Sequence, residues 1–333
     1  MAEAKLSVSF AGPLVTVQDA GRPGNMRFGV PASGPMDRLS FDAAHAALGN
    51  SAGQSVIEIS LGGLVLQSNE GDITVAITGG DFVVEHADQK TTSWTILTLR
   101  KGERLAIRAG KAGSWAYLAF AGTLKSRNWL GSQATHSTSG FGGGVLQTGQ
   151  SLVVSDASVR GDRLGEIPRP NFVGGGAIHV VTGPQDQYFA KVALARFTSE
   201  AFKVTDAYDR MGMRLNGPTL ELDGALSIPS EPIVRGAVQV SGDGIPTVLL
   251  ADHQTTGGYP KIATVITPDT DRLSQYRAGQ TLRFTSISGA DAIAESRTFF
   301  QEKLRYLEHI AIARGTLEQR LMRENLIHGC VFD

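Results

Sequence analysis

Cysteine is nearly absent from this chain: Cys330, close to the end, is the only one. That excludes an intramolecular disulfide and a cysteine-based metal site. Charge of one sign is not in surplus either, with 31 basic against 32 acidic side chains. A nucleic-acid or membrane-surface partner normally shows as a basic patch or tail, so neither is expected. No apolar run reaches the roughly 18 residues of a membrane helix. The opening Met1-Ala2-Glu3-Ala4-Lys5-Leu6 lacks a signal peptide's apolar core. A cytoplasmic protein is the expectation. There is no P-loop lysine motif, no HExxH zinc site, no GxSxG nucleophile elbow, and no histidine pair at metal spacing around His136.

What is present is material for a large β-rich core. The 333 residues are 41% hydrophobic, enough for two domains. Forty glycines without a period point to many tight turns. Alternation predicts strands over Lys5–Phe10 and Leu14–Asp19, the second delivering Gln18 and Asp19 to its end. After a shaped loop containing Arg22 and Ser33, Asp37 opens a helix running from Arg38 to about Ala47 and stopped by Gly49-Asn50. As an N-cap Asp37 would contribute about 1 kcal/mol; a ligand role is the alternative. Short β-branched runs follow at Val56–Ser60, Leu64–Gln67, Ile73–Thr78, Phe82–Glu85, Thr95–Leu99, Arg104–Arg108 and Trp115–Phe120. Such spacing indicates a barrel or sandwich.

A glycine cluster, Gly140-Phe141-Gly142-Gly143-Gly144, can be an anion cradle or a flexible loop. Pro168-Arg169-Pro170 and Gly174-Gly175-Gly176 mark a boundary, dividing the chain into residues 1–165, 175–288 and a helical tail over 289–333. The second half predicts a helix around Asp186–Leu194. Gly149-Gln150-Ser151-Leu152 is echoed by Gly279-Gln280-Thr281-Leu282, which agrees with a duplicated barrel. In the tail, Ile293, Phe300, Leu304, Leu307 and Ala311 form one apolar face of a helix, and a second short helix is expected over Leu317–Ile327.

The densest polar chemistry lies in Asp252-His253-Gln254-Thr255-Thr256-Gly257-Gly258-Tyr259-Pro260-Lys261, between two strand-like runs. It reads either as a hairpin turning at Gly-Gly or as a site. Gln18, Gln254, Thr255 and Thr256 offer donors and acceptors matched to a planar amide. Gly257 and Gly258 can present N–H groups to a developing oxyanion. Lys261, with Arg210 or Arg214, can hold a carboxylate or phosphate. Asp19 or Asp252 can act as a base or orient one, and Glu231 lies in a polar loop upstream. In Asp209-Arg210-Met211-Gly212-Met213-Arg214, the arginines are either an anion clamp or, with Asp209, the brace of a turn.

Four separated segments carry a resemblance: Thr16-Val17-Gln18-Asp19-Ala20-Gly21-Arg22, Gly29 through Asp37, Asp209 through Leu215, and Asp252 through Lys261. Over residues 8–285 the chain resembles the KipA or allophanate-hydrolase-subunit-2 family, biotin-dependent carboxyltransferase-like, which includes one of the subunits of bacterial 5-oxoprolinase. The resemblance implies a mainly β fold of cyclophilin-like barrel subdomains with a few short helices. It implies a KipI or allophanate-hydrolase-subunit-1-like partner and, in the oxoprolinase branch, a LamB/YcsF-like third member. ATP then drives opening of a lactam. Asp19, Asp252 and Lys261 become candidate catalytic residues. Gln18, Arg22, Ser33, Asp209, Arg210, Arg214, Glu231, Gln254, Thr255, Thr256, Gly257, Gly258 and Tyr259 become candidate substrate contacts. In the urea branch a carboxyl group comes from biotin; none of the six methionines here adjoins a lysine, so no Met-Lys-Met carrier site lies on this chain. A non-catalytic regulatory protein of the KipA type is the third reading. Gln133, Gly144 and Gln150 depart from the family pattern, which has arginine at the first two and aspartate at the third.

Overall fold

The computed structural model describes residues 2–223, 228–315, 318, 319 and 322. The fold is mainly β. Residues 3–166 supply an 11-stranded sheet, and a closed barrel of seven strands follows between Ile178 and Ser286. Four helices accompany them among the described residues: α1 (Arg38–Leu48), α2 (Lys191–Ser199), α3 (Thr267–Ser274) and α4 (Gly289–Ala311).

The sheet depends on two long bent strands, Ile73–His86 and Arg104–Phe120. Each was predicted as two short strands separated by glycines. They are continuous because those glycines mark bulges rather than turns. Register shifts fall between Gly79 and Asp81 and again before Val83. A Cβ at Gly79 would stand 2.4 Å from the Trp115 carbonyl oxygen, and one at Gly110 would stand 1.9 Å from that of Asp81. Only glycine lets the two backbones approach so closely.

α1 follows its capping signals. Asp37 Oδ1 accepts from the Ser40 amide at 3.0 Å, and Gly49 closes the helix in the left-handed region at φ 66°. α2 begins later than predicted: a 3-10 turn over Asp186–Tyr188 precedes it. α3 was not predicted. Its buried residues include Asp269, Thr270, Asp271 and Ser274, so it carries little apolar periodicity to detect.

The barrel runs Ile178–Thr182, Lys261–Val265, Ala237–Val240, Pro246–Leu249, Gly212–Asn216, Ala201–Tyr208 and Thr281–Ser286. The last strand pairs with the first in parallel and closes the ring. Phe197 of α2 stacks on Phe284 with ring centroids 4.6 Å apart. One apolar core extends from Phe41 of α1 and the neighbouring Tyr117 through to the barrel interior.

The echoed tetrapeptide forms the same turn twice. Gly149 and Gly279 both have φ 88°. The Gln150 and Gln280 side chains reach back to the amides of Gln147 and Arg277, at 3.1 and 2.7 Å. The Val8 and Val204 amides donate to the Gln150 and Gln280 carbonyls, at 2.8 and 2.9 Å. The motif recurs because it solves one local problem, the entry into a strand, in both halves.

α4 is amphipathic, and its packing face matches the expected one only toward its C-terminal end, where Leu307 packs against the core and Ala311 is half-buried. Ile293, Phe300 and Leu304 are 54%, 44% and 61% exposed. Further contacts run through Tyr306, whose hydroxyl donates to the Pro168 carbonyl at 2.8 Å, Phe299 against Phe172, and Lys303 paired with Asp42 at 2.6 Å. The expected helix over Leu317–Ile327 and Cys330 fall largely outside the described residues. No helix among the described residues is long and apolar enough to cross a membrane.

Candidate functional site

The predicted residues separate into a junction between sheet and barrel, a corner on the sheet side, and a rim on the barrel.

At the junction Arg210 is fully buried. Its Nε and Nη2 donate to the two oxygens of Asp252 at 2.9 and 3.0 Å, Nη2 also to the Gly34 carbonyl at 2.7 Å, and Nη1 to Glu58. Glu58 in turn accepts from the Met36 amide at 2.7 Å and the Tyr117 hydroxyl at 2.9 Å. Asp252 also accepts from the Ser137 amide and hydroxyl at 3.0 and 2.9 Å. Burial opposes the charge on Asp252, but Arg210 outweighs it and holds the carboxyl below its ordinary range. Burial likewise works against the Arg210 charge, yet Asp252 and Glu58 raise its pKa further. Arg210 and Asp252 thus hold each other and the junction, so Arg210 offers no free donor to a substrate and the Asp252 carboxylate is already paired. Every nitrogen of this guanidinium already donates within the protein.

Asp19 is also occupied. Its carboxylate accepts from the amides of Gly21, Gln133 and Ala134, at 2.8, 2.6 and 3.2 Å, and from the Ser132 hydroxyl at 2.6 Å. It shapes the loop rather than standing free as a base. Asp209 braces the turn before Gly212, accepting from the amides of Met211 and Gly212 at 2.7 and 3.2 Å. Three amides of the glycine cluster are already taken: those of Gly140, Gly143 and Gly144 donate to His136 O, Gln133 O and Thr135 Oγ1. Gln133 accepts from the Ser55 and Ser126 hydroxyls at 2.6 and 2.7 Å.

On the sheet side, Gln18 Nε2 donates to Thr16 Oγ1 and the Thr135 carbonyl, at 2.9 and 3.0 Å, while its Oε1 has no partner. Arg22 and Ser33 lie buried in the same corner.

On the barrel side, the strand Lys261–Val265 carries Lys261 inward; its ammonium is 3.5 Å from Glu231, whose side chain is half exposed. Gln185 Oε1 accepts from the Lys261 amide at 2.9 Å, and its Nε2 donates to Glu231. Gln254 donates to Gln239 Oε1 at 3.3 Å, leaving the buried Gln239 Nε2 unpartnered. Gly257 and Gly258 do not form a hairpin. Thr256–Gly257 pairs instead with Glu231–Pro232, and the Thr255 carbonyl accepts from the Ile233 amide at 3.1 Å. Neither glycine has a positive φ; the requirement is space, since a Cβ at Gly257 would lie 2.5 Å from Ile233 and 2.7 Å from Gln239 Nε2. Gln239, Gln254 and Tyr259 line an open cleft of about 360 Å³ with Asp209 and Arg214. Arg214 is half engaged there, paired with Asp243 at 2.6 Å. Sequence reading missed Gln185 and Gln239, isolated carboxamides in unrelated strands and turns; the Cα pairing of Gln239 with Lys261 and the bond from the Lys261 amide to Gln185 bring them into the site.

This architecture, a bulged antiparallel sheet locked to a closed barrel with a carboxamide-rich rim, is that of a carboxyltransferase domain. The chain belongs to that family: residues 28–286 match the carboxyltransferase domain, subdomains A and B. It is 34% identical over 280 residues to a 5-oxoprolinase subunit of Haemophilus influenzae, covering 83% of this chain and 89% of that protein. To the corresponding 5-oxoprolinase subunit of Escherichia coli it is 30% identical over 309 residues, 92% of this chain and 97% of that one. The K. lactis urea amidolyase structure superposes with a TM-score of 0.82 at 24% identity, over 92% of this chain and 20% of that one. That last likeness concerns the fold.

Proposed function

We propose that this chain is one subunit of an ATP-dependent 5-oxoprolinase, which opens the lactam of 5-oxoproline to glutamate. It works with a KipI or allophanate-hydrolase-subunit-1-like partner and a LamB/YcsF-like protein, in the cytoplasm. The observation that carries the reading is the similarity to two bacterial 5-oxoprolinase subunits over nearly their whole lengths. The barrel rim supports it chemically. Gln239, paired in register with Lys261 and with its Nε2 open, and Gln254 beside it offer carboxamide groups, while Gln185 holds the Lys261 amide and Glu231 in place; an amide or lactam is recognised by paired donors and acceptors of this kind. Lys261 is the cation at that rim able to face a carbonyl oxygen gaining negative charge; Gln254, Thr255, Thr256, Gly257, Gly258, Tyr259 and Glu231 form the surrounding contacts.

ATP is assigned to the assembled complex, since this chain has no P-loop lysine motif and three amides of its glycine cluster are already engaged. When bound there, it supplies activation of the carbonyl toward opening. Biotin, the carboxyl carrier of the urea branch, has no attachment motif on this chain. The test is co-purification with the KipI-like partner followed by an assay of 5-oxoproline-dependent ATP hydrolysis in the reconstituted complex. Absence of ATPase activity with 5-oxoproline or any small amide would sink the proposal.

A further inference from the structure

We infer that Arg22 is the anchor for a carboxylate on the substrate, in a subsite formed with Gln18 and Ser33; naming the acid as 5-oxoproline rests on the reading above. Arg22 is only 2% exposed. Its Nη2 donates to the Ala134 carbonyl, while Nε and Nη1 find no acceptor among the described residues. Burial pulls its pKa below the ordinary arginine value, with Asp19 and Asp252 opposing that through space. Neither carboxylate is free to pair with it: four donors hold Asp19, and Arg210 and Ser137 hold Asp252. A buried guanidinium with open donors is costly until an anion meets it. Nη2 has a second hydrogen, which lies beside either Nε or Nη1. A carboxylate bridging Nη2 and that open neighbour is held in bidentate fashion.

The neighbouring orphan atoms define the rest of the ligand. Gln18 Oε1 is a buried acceptor without a donor. Ser33 Oγ is a buried hydroxyl with no partner at hydrogen-bond distance, though it is near enough to Asp252 to favour the ionised carboxyl there. Gln18 and Arg22 are anchored on the consecutive carbonyls of Thr135 and Ala134, and the Arg22 amide bonds the carbonyl of Ala32, the residue before Ser33, at 2.8 Å. Ser33 holds φ 55°, a strained value for a residue with a Cβ, as found where a site fixes a side chain. An acceptor for N–H beside a fork for a carboxylate matches an acid whose carboxylate neighbours an amide N–H. A lactam acid such as 5-oxoproline has both groups; urea has no carboxylate.

The corner has a roof. The Trp129 ring lies 5.0 Å from the Arg22 guanidinium, and Phe141 stacks on Trp129 at 4.5 Å, itself half exposed. Gly142, at φ 90°, carries the roof loop against the guanidinium: a Cβ there would stand 2.0 Å from the Ala134 oxygen and 3.1 Å from Arg22 Nη2. Admission of a carboxylate displaces the indole from the guanidinium, so Trp129 reports binding.

The experiment titrates the full chain, and in parallel the reconstituted complex, with 5-oxoproline and with 2-pyrrolidinone, the same lactam without its carboxylate. Calorimetry gives affinity and tryptophan fluorescence gives the Trp129 signal, with Trp129→Phe as its control. The expected result is that 5-oxoproline binds on the order of 10- to 100-fold tighter than 2-pyrrolidinone. Arg22→Gln removes that preference, and Arg22→Lys restores only part of it. Equal affinity of the wild type for the two lactams overturns the subsite without recourse to any variant, as does binding of neither. So does an Arg22→Gln chain with native Tm that keeps the preference. If 5-oxoproline binds in an Arg22-dependent way but drives no ATPase, the subsite stands and the oxoprolinase reading falls. Normal turnover with the preference untouched by Arg22→Gln gives the opposite outcome.

Discussion

Arg22 and Arg210 are the two buried arginines of the described chain, and they differ in what meets them. Arg210 is saturated: two carboxylates and a carbonyl take its donors, and its partners come from both sides of the sheet–barrel junction. Arg22 keeps two nitrogens without an acceptor, under an aromatic roof. A saturated buried ion network fixes geometry and leaves nothing for a ligand; an unsaturated one is poised for a ligand of opposite charge. The same contrast separates Asp252, fully engaged, from Lys261, whose ammonium has one distant, half-exposed partner.

The largest effect should come from the saturated member. Arg210→Met leaves Glu58 and Asp252 buried and unpaired, and should destabilise the fold by about 3–5 kcal/mol, read by urea denaturation. A change under about 1 kcal/mol would erase the distinction between the two arginines, since a surface pair is worth that much. Next, Lys261→Ala should lower turnover by the reconstituted complex on the order of 100-fold while Tm changes little. A matching loss of stability would instead move Lys261 to the structural side of the comparison.

A pH titration sharpens the same contrast more gently. Burial holds both His45 and His253 below the ordinary histidine value of 6.5. The unfolded chain then binds more protons than the folded one as pH falls below 6.5, so stability declines on acidification. His253→Gln should flatten that slope in the dependence of Tm on pH. Asp252 acts in the same direction at lower pH. Its folded pKa is depressed, so its contribution, complete above the unfolded value of 3.8, is lost as pH falls through the folded one. The smallest effect belongs to Arg214→Ala. Its pair with Asp243 is exposed, with 40% and 50% of the side chains accessible, and its loss should cost about 0–1 kcal/mol. A drop in substrate affinity without a drop in Tm would assign Arg214 to the cleft it lines.

Much of the fold was legible because its signals are local. Asp37 and Gly49 bracket α1 by capping chemistry that any helix shows. The Gly-Gln-Ser/Thr-Leu turn reads the same at Gly149 and Gly279 because its hydrogen bonds span three residues. What failed to read was non-local. Gly79 and Gly110 look like turn residues until the facing strands show that they relieve a backbone collision. Ile293, Phe300 and Leu304 form a correct helical stripe, yet Tyr306, Phe299 and Lys303 find the partners.

The site divides in the same way. The sequence by itself determined which chemistries exist: the polar run from Asp252 to Lys261, the Gln18-Asp19 strand end, and the arginines at 22, 210 and 214. Only the tertiary structure decided which of these groups are occupied. Hydrogen-bond saturation depends on partners far away in the chain: Glu58 lies 152 residues from Arg210, and Ala134 lies 112 from Arg22. No short window of sequence contains both members of such a pair, so a saturated arginine and an open one look alike until the fold brings their neighbours in.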